Sequence, residues 1–104
     1  AMSAPPVVEA PGAHWVGEGL RGPLGIGDHT FGRKSDNTIA IADPYVSGRH
    51  GVVSVSEDGV TLTDTGSTNG TVIDGQKIEP YAPVAIGADT VIRLGNLEFK
   101  IERA

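Results

Sequence analysis

The sequence predicts an all-β domain, an antiparallel sandwich or barrel of about ten short strands. Three observations predict this fold class. No stretch keeps a helical period over about ten residues or more. The apolar residues come in short runs between turn signals, and 15 glycines and 7 prolines among 104 residues supply many turns. A chain of this length holds one two-layer core and no second domain.

The beginning of the chain differs from the remainder. Pro5, Pro6 and Pro11 stand there among alanines, and neither the helical nor the strand period is present. We therefore predict a Pro/Ala-rich linker or cloning remnant over residues 1–13 and the folded domain over residues 14–104.

The next part of the chain contains four short runs bounded by turn residues, each of which predicts a strand. These runs are Trp15–Val16, Leu24–Ile26, Thr30–Arg33 and Thr38–Ile41.

Three β-hairpins are predicted after these strands, because pairs of apolar runs flank turn dipeptides. The pairs are Val52–Val55 with Val60–Thr63 across Asp58-Gly59, Val72–Ile73 with Lys77–Ile78 across Asp74-Gly75, and Val91–Leu94 with Leu97–Ile101 across Gly95-Asn96. Val60 and Leu62 alternate with threonines, as in a strand with one buried face. The last hairpin supplies the predicted core residues Ile92, Leu94, Leu97, Phe99 and Ile101.

The charge balance limits the classes of partner. Eight Lys and Arg residues against 13 Asp and Glu residues give a net charge of -5, which disfavours a general nucleic-acid binder. Arg33, Lys34, Arg49 and His50 nevertheless cluster in two short segments. A small cationic pocket on an acidic body favours one anionic group over a long polyanion.

Metal, cofactor and membrane chemistry have no support in the sequence. Cysteine is absent, and His14, His29 and His50 lack metal-ligand spacing, so we expect no disulfide, metal site or cofactor. No apolar run approaches the roughly 20 residues of a membrane span, and no secretory signal pattern is present. We predict an intracellular, cytoplasmic protein that does not bind membranes.

Three short segments carry polar groups suited to binding a phosphate or a peptide backbone. They are Gly32-Arg33, Ser47-Gly48-Arg49-His50 and Gly66-Ser67-Thr68-Asn69-Gly70-Thr71. Arg33 offers a planar fork of donors, Ser47 a hydroxyl, and Asn69 an amide that can donate to and accept from a peptide backbone. Taken singly, each has a simpler explanation as a surface arginine, a turn serine or a turn dipeptide.

In order and spacing, these three segments resemble the forkhead-associated (FHA) domain family over about residues 20 to 102. The resemblance implies an eleven-stranded antiparallel β-sandwich of the FHA/SMAD type, whose loops bind phosphothreonine at one end. It also implies a non-enzymatic signalling module whose protein partner is phosphorylated by an upstream Ser/Thr kinase.

The resemblance also assigns roles to individual residues. Arg33, Ser47 and Thr68 would bind the phosphate, Asn69, Gly48, Lys34 and Arg49 would contact the peptide, and Gly32, His50 and Gly70 would support the loops. Gly48 departs from the family pattern, in which a long polar side chain often follows the serine. Lys34 or Arg49 would then supply the charge, or Gly48 would let the ligand backbone come closer.

Two other functions remain open at this point. A β-sandwich scaffold that binds partners independently of phosphate is motivated by Gly48 and the acidic surface. An esterase or phosphatase using Ser47 and His50 is the other alternative, but the chain shows neither a G-x-S-x-G elbow nor an obvious partner to orient the histidine.

Overall fold

Eleven short strands form the fold in the computed structural model, which describes residues 12–103. In chain order they are β1 (Ala13–Gly17), β2 (Leu20–Leu24), β3 (Gly27–Gly32), β4 (Ile39–Ala40), β5 (Gly51–Ser56), β6 (Gly59–Asp64), β7 (Val72–Ile73), β8 (Gln76–Lys77), β9 (Val84–Ile86), β10 (Ile92–Leu94) and β11 (Leu97–Arg103). One sheet has the order β2-β1-β11-β10-β7-β8 and the other β4-β3-β5-β6-β9. All pairs are antiparallel except β3 with β4. The predicted all-β sandwich of eleven strands is confirmed.

Most of the predicted linker, residues 1–11, lies outside the described residues. Ala13, its last residue, is the buried first residue of β1. Within residues 12–103, no helix has the length and apolar character needed to cross a membrane.

Aromatic side chains from both sheets meet in the core. The ring of Trp15 lies 4.9 Å from that of Phe31 and 5.1 Å from that of Phe99, measured between centroids. Strand alternation sends every second side chain inward, so Val53 and Leu62 are fully buried opposite each other on β5 and β6. This packing makes a rigid frame, from which the loops project.

The three predicted hairpins are present. Their strands pair up to the turns at Ser56 with Gly59, Ile73 with Gln76 and Leu94 with Leu97. Asp74 and Gly75 have φ values of 49° and 85°, as a type I′ turn requires. Of the five core residues predicted in the last hairpin, four are buried and Leu97, beside the turn, is half-buried.

The predicted strand over Leu24–Ile26 is wrong, because Leu24 ends β2 and Ile26 lies exposed in the turn before β3. Two strands, β2 and β9, were not predicted from the sequence, and both lie at sheet edges. Pro23 lies in β2, and an edge strand tolerates proline because one side of its backbone needs no partner. β9 has only 3 residues, too few to show a period.

Hydrogen bonds join the loops at one end of the sandwich. The backbone N–H of Arg33 donates to the Ser47 carbonyl at 2.9 Å, and that of Lys34 donates to the Gly48 carbonyl at 3.3 Å. The backbone N–H of Thr65 donates to the His50 carbonyl at 3.1 Å. The loops after β3, β4 and β6 therefore form one connected surface, although their residues are far apart in sequence.

Candidate functional site

A cavity of about 240 Å³ opens between these three loops. It is lined by Arg33, Pro44, Tyr45, Val46, Ser47, Gly48, Thr68 and Asn69. The fold thus brings together five residues that the sequence analysis assigned to ligand binding: Arg33, Ser47, Gly48, Thr68 and Asn69.

The Arg33 guanidinium stands at this cavity with most of its donors free. Its only hydrogen bond within residues 12–103 runs from Nη1 to the Pro44 carbonyl at 3.4 Å, a long and weak contact. It forms no ion pair with a carboxylate in the described part of the chain. A planar fork of unpaired N–H groups is suited to binding the oxygens of a phosphate.

Ser47 faces the same cavity with its hydroxyl hydrogen available. Its Oγ accepts the backbone N–H of Thr68 at 2.9 Å, which joins the loop after β4 to the loop after β6. Because Oγ acts as the acceptor in this bond, its own O–H remains free to donate to an anion. The Thr68 side chain is exposed beside it and adds a second hydroxyl.

Asn69 lines the same cavity from the loop after β6. Its Nδ2 donates to the Tyr45 carbonyl at 2.7 Å, which fixes the loop that carries Ser47. This bond uses one of the two Nδ2 hydrogens. The other hydrogen and Oδ1 are suited to pairing with the main chain of an extended peptide.

Lys34 takes the space above Gly48. A Cβ atom added at Gly48 would stand 3.2 Å from Cε of Lys34 and 3.3 Å from its Cγ, so the lysine stem lies along the glycine. Arg49 points elsewhere: it pairs with Asp36 at 2.8 Å, donates to Oδ1 of Asn37 at 2.9 Å and does not line the cavity. Of the two cations considered as substitutes for a side chain at position 48, Lys34 is the one beside it.

Gly32 allows the loops to approach each other. A Cβ atom there would lie 2.9 Å from the carbonyl carbon of Gly48 and from the backbone nitrogen of His50. These are backbone atoms, which cannot turn aside as a side-chain tip can. A side chain at position 32 would therefore push apart the segments that carry Arg33 and Ser47.

His50 is fully buried behind the cavity. Its Nδ1 accepts the backbone N–H of Ser47 at 3.1 Å, so Nε2 carries the proton and donates to the Gly70 carbonyl at 3.0 Å and to Oγ1 of Thr71 at 3.1 Å. Both ring nitrogens are thus engaged away from the Ser47 hydroxyl. The Ser47 hydroxyl and the His50 imidazole therefore do not form the hydrogen-bonded nucleophile and base of a hydrolase.

Asp64 and Asn37 are two buried polar residues that hold the loops and were not predicted from the sequence. The Asp64 carboxylate accepts from the backbone N–H groups of Gly66 and Ser67, from Oγ of Ser67 and from Oγ1 of Thr71, at 2.6 to 2.9 Å. Asn37 donates from Nδ2 to the carbonyls of Lys34 and Gly48, both at 2.8 Å. Asp64 lies two residues before Gly66 and three before Ser67. An aspartate at this spacing often accepts backbone N–H groups of the following turn, a local signal that could have identified Asp64 from the sequence.

Burial and hydrogen bonding shift the pKa values of the two buried ionisable groups. Burial lowers the pKa of His50 below its ordinary value of 6.5, although the Gly70 carbonyl and the charge of Asp64 oppose this shift. Burial alone would raise the pKa of Asp64, but hydrogen bonds from Ser67, Thr71 and Gly66 outweigh it and lower the pKa below 3.8. Asp64 is therefore ionised and His50 neutral near pH 7.

Acid is expected to destabilise the domain through His50. Below about pH 6.5 the unfolded chain takes up a proton that the buried imidazole resists, so the free energy of unfolding falls as the pH falls. The slope from this one group is at most about 1.4 kcal/mol per pH unit. Denaturant unfolding at several pH values between 7.5 and 5 measures it. Asp64 adds a further loss only below pH 3.8.

A variant comparison assigns this slope to His50. We expect His50→Gln to flatten the pH dependence and His14→Gln to keep it. If the glutamine variant does not fold, an NMR titration of the wild-type imidazole replaces it. Titration of His50 at or above pH 6.5 would contradict the prediction.

Comparisons with known proteins agree with this geometry. The FHA domain model matches residues 29–95. FhaB of Mycolicibacterium smegmatis, an FHA domain-containing protein, is 38% identical over 78 residues, which cover 75% of this chain and 49% of FhaB. The chain spans about half the length of the curated FhaB relatives that it matches.

Solved structures give the same result. An FHA domain from work on phosphothreonine-dependent FHA domain interactions matches with a TM-score of 0.79 at 26% identity, covering 88% of this chain and 95% of that one. EmbR of Mycobacterium tuberculosis, in complex with a low affinity phosphopeptide, matches with a TM-score of 0.78 at 25% identity, covering 88% and 24%. Because the family model spans more than half of the sequence, this chain belongs to the FHA domain family.

Proposed function

We propose that this chain binds phosphothreonine on a protein partner and so mediates phosphorylation-dependent protein–protein interaction in signalling. One observation carries the proposal: the Arg33 guanidinium, which has one weak partner among residues 12–103, and the Ser47 hydroxyl, whose hydrogen is available to donate, face the same cavity of about 240 Å³. Phosphorylation gives threonine about −1.5 to −2 charges and three strong acceptor oxygens, which these donors match. An upstream Ser/Thr kinase would make the ligand, and the setting would be intracellular.

In this proposal, Arg33 and Ser47 hold the phosphate oxygens directly and Thr68 adds a hydroxyl. Lys34 brings a second positive charge to the rim, where its stem lies along Gly48. Charge-assisted hydrogen bonds contribute about 1.5 to 3 kcal/mol each when well formed. Phosphate-dependent binding therefore rests mainly on Arg33.

Asn69 would hold the main chain of the peptide beside the phosphothreonine. Its Nδ2 bond to the Tyr45 carbonyl already fixes the amide, so little side-chain entropy is lost when a ligand arrives. A short peptide on preformed loops is expected to bind reversibly, with weak to moderate affinity. The two structural relatives described above, one of them holding a low affinity phosphopeptide, support this mode of binding.

Calorimetry with three matched peptides, carrying phosphothreonine, phosphoserine or threonine at one position, tests the proposal. We expect the phosphothreonine peptide to bind at least about tenfold more tightly than the threonine peptide, since one charge-assisted bond accounts for that much. The phosphoserine peptide reports the contribution of the γ-methyl group. Equal binding of the phosphorylated and plain threonine peptides would reject the proposal and favour the phosphate-independent scaffold.

A further inference from the structure

A second cleft of about 540 Å³ adjoins the phosphate cavity. It is lined by Asp43, Pro44, Tyr45, Gly95 and Asn96, so it shares Pro44 and Tyr45 with the first cavity. The turn between β10 and β11, which contributes Gly95 and Asn96, played no part in the proposed phosphate site. Because an extended chain advances about 3.3 Å per residue, a peptide held in the first cavity can reach this cleft within a few residues.

Tyr45 presents a fixed aromatic surface in the cleft. Its ring packs on Gly95, where an added Cβ atom would stand 2.8 Å from the ring Cγ. Its carbonyl is held by Asn69 at 2.7 Å, and its N–H donates to Oδ1 of Asp43 at 2.8 Å. The residue nevertheless remains 49% exposed, so part of the ring is open to a ligand.

Asp43 places a negative charge beside this ring. Its Oδ1 accepts the Tyr45 N–H, and Oδ2 has no hydrogen-bond donor or cation among residues 12–103. An aromatic face next to a free carboxylate oxygen attracts a cation, because ring quadrupole and charge act in the same direction. A guanidinium fits better than an ammonium, since its plane stacks on the ring while its N–H groups reach the carboxylate.

We propose that this cleft binds a basic side chain of the phosphothreonine peptide, arginine in preference to lysine, a few residues from the phosphothreonine. This inference rests on the proposed function and adds the chemistry of the flanking sequence. Opposite charges in the two neighbouring sites also set the register of the peptide. A shifted peptide would bring its cation toward Arg33 and its phosphate toward Asp43, which like-charge repulsion disfavours.

The test uses phosphothreonine peptides that differ at one flanking position, scanned across four residues on each side with arginine, lysine, glutamine or glutamate. With the wild-type domain we expect one position, or two adjacent ones, at which arginine binds about 5- to 30-fold more tightly than glutamate, and lysine binds more weakly than arginine. Asp43→Asn keeps an Oδ1 acceptor for the Tyr45 N–H but removes the charge. It is expected to reduce that ratio to about twofold or less.

A matched variant separates the local effect from the overall charge of the domain. Asp58→Asn removes the same charge from the β5–β6 turn, at the other end of β5 from His50, and should leave the arginine-to-glutamate ratio unchanged. No arginine preference at any position, or the same preference in Asp43→Asn, would overturn the inference. If only the inference fails, phosphothreonine peptides will still bind more tightly than the matching unphosphorylated threonine peptides. If phosphorylated and unphosphorylated peptides bind equally, the proposed function fails as well.

Discussion

Arg33→Ala is expected to lower the affinity for a phosphothreonine peptide by about 10- to 100-fold or more, to nearly that of the plain threonine peptide. The reason is geometric: the Arg33 guanidinium is the charged group that lines the cavity, and it has one weak partner within residues 12–103. Because the side chain is exposed, stability should change by no more than about 0.5 kcal/mol. Calorimetry measures the affinity and denaturant unfolding the stability.

Two further variants serve as comparisons for Arg33→Ala. Arg21→Ala removes the same charge from the six-stranded sheet, where Arg21 of β2 forms only an exposed ion pair with Glu102 of β11. We expect this variant to keep the phosphopeptide affinity of the wild type. Arg33→Lys keeps the charge without the planar fork, and we expect intermediate affinity. An Arg33→Ala domain that binds its protein partner as well as the wild type would contradict phosphate recognition and favour the scaffold function.

The second large effect is expected from Asp64→Asn, on stability. The Asp64 carboxylate accepts four hydrogen bonds from Gly66, Ser67 and Thr71 while almost fully buried. An asparagine can accept the two backbone N–H groups at Oδ1, but its NH₂ group then faces the hydroxyls of Ser67 and Thr71. We expect a loss of about 2 to 4 kcal/mol in the free energy of unfolding, from lost charge-assisted bonds and unsatisfied donors.

Denaturant unfolding measures this loss, with Asp58→Asn as the control. Asp58 lies exposed in the β5–β6 turn, so its variant should stay within about 0.5 kcal/mol of the wild type. Phosphopeptide affinity should also fall in Asp64→Asn, because the loop that carries Thr68 and Asn69 loses its anchor. Unchanged stability would show that the buried network can rearrange at little cost.

Arg33 and Asp64 contribute to the same site from different depths. Arg33 supplies charge at the surface, where a ligand meets it. Asp64 and His50 hold the loop backbones from behind, since they bond to backbone groups of residues 47, 66, 67 and 70. A preformed site of this kind loses little conformational entropy on binding.

The predicted fold class, hairpins and family are all confirmed. The fold class and the hairpins were predictable because strand alternation and turn dipeptides such as Asp74-Gly75 act between residues close in the chain. The family rested on the resemblance of three polar loop segments. The prediction failed at Leu24–Ile26 and at the edge strand β2, where Pro23 and glycines conceal the strand pattern. The roles assigned to Arg33, Ser47, Thr68 and Asn69 in ligand binding stay predictions.

The fold class, the family and the order of the polar loop segments could therefore be predicted from the amino-acid sequence alone. Three features are visible only in the folded domain: Lys34 rather than Arg49 lies beside Gly48, His50 is buried, and Tyr45 and Asp43 share a cleft with Gly95. Local patterns specify strands and turns through contacts between near neighbours. Side-chain direction in a loop depends on partners 10 to 50 residues away, such as Gly95 for Tyr45, and no short stretch of sequence contains both.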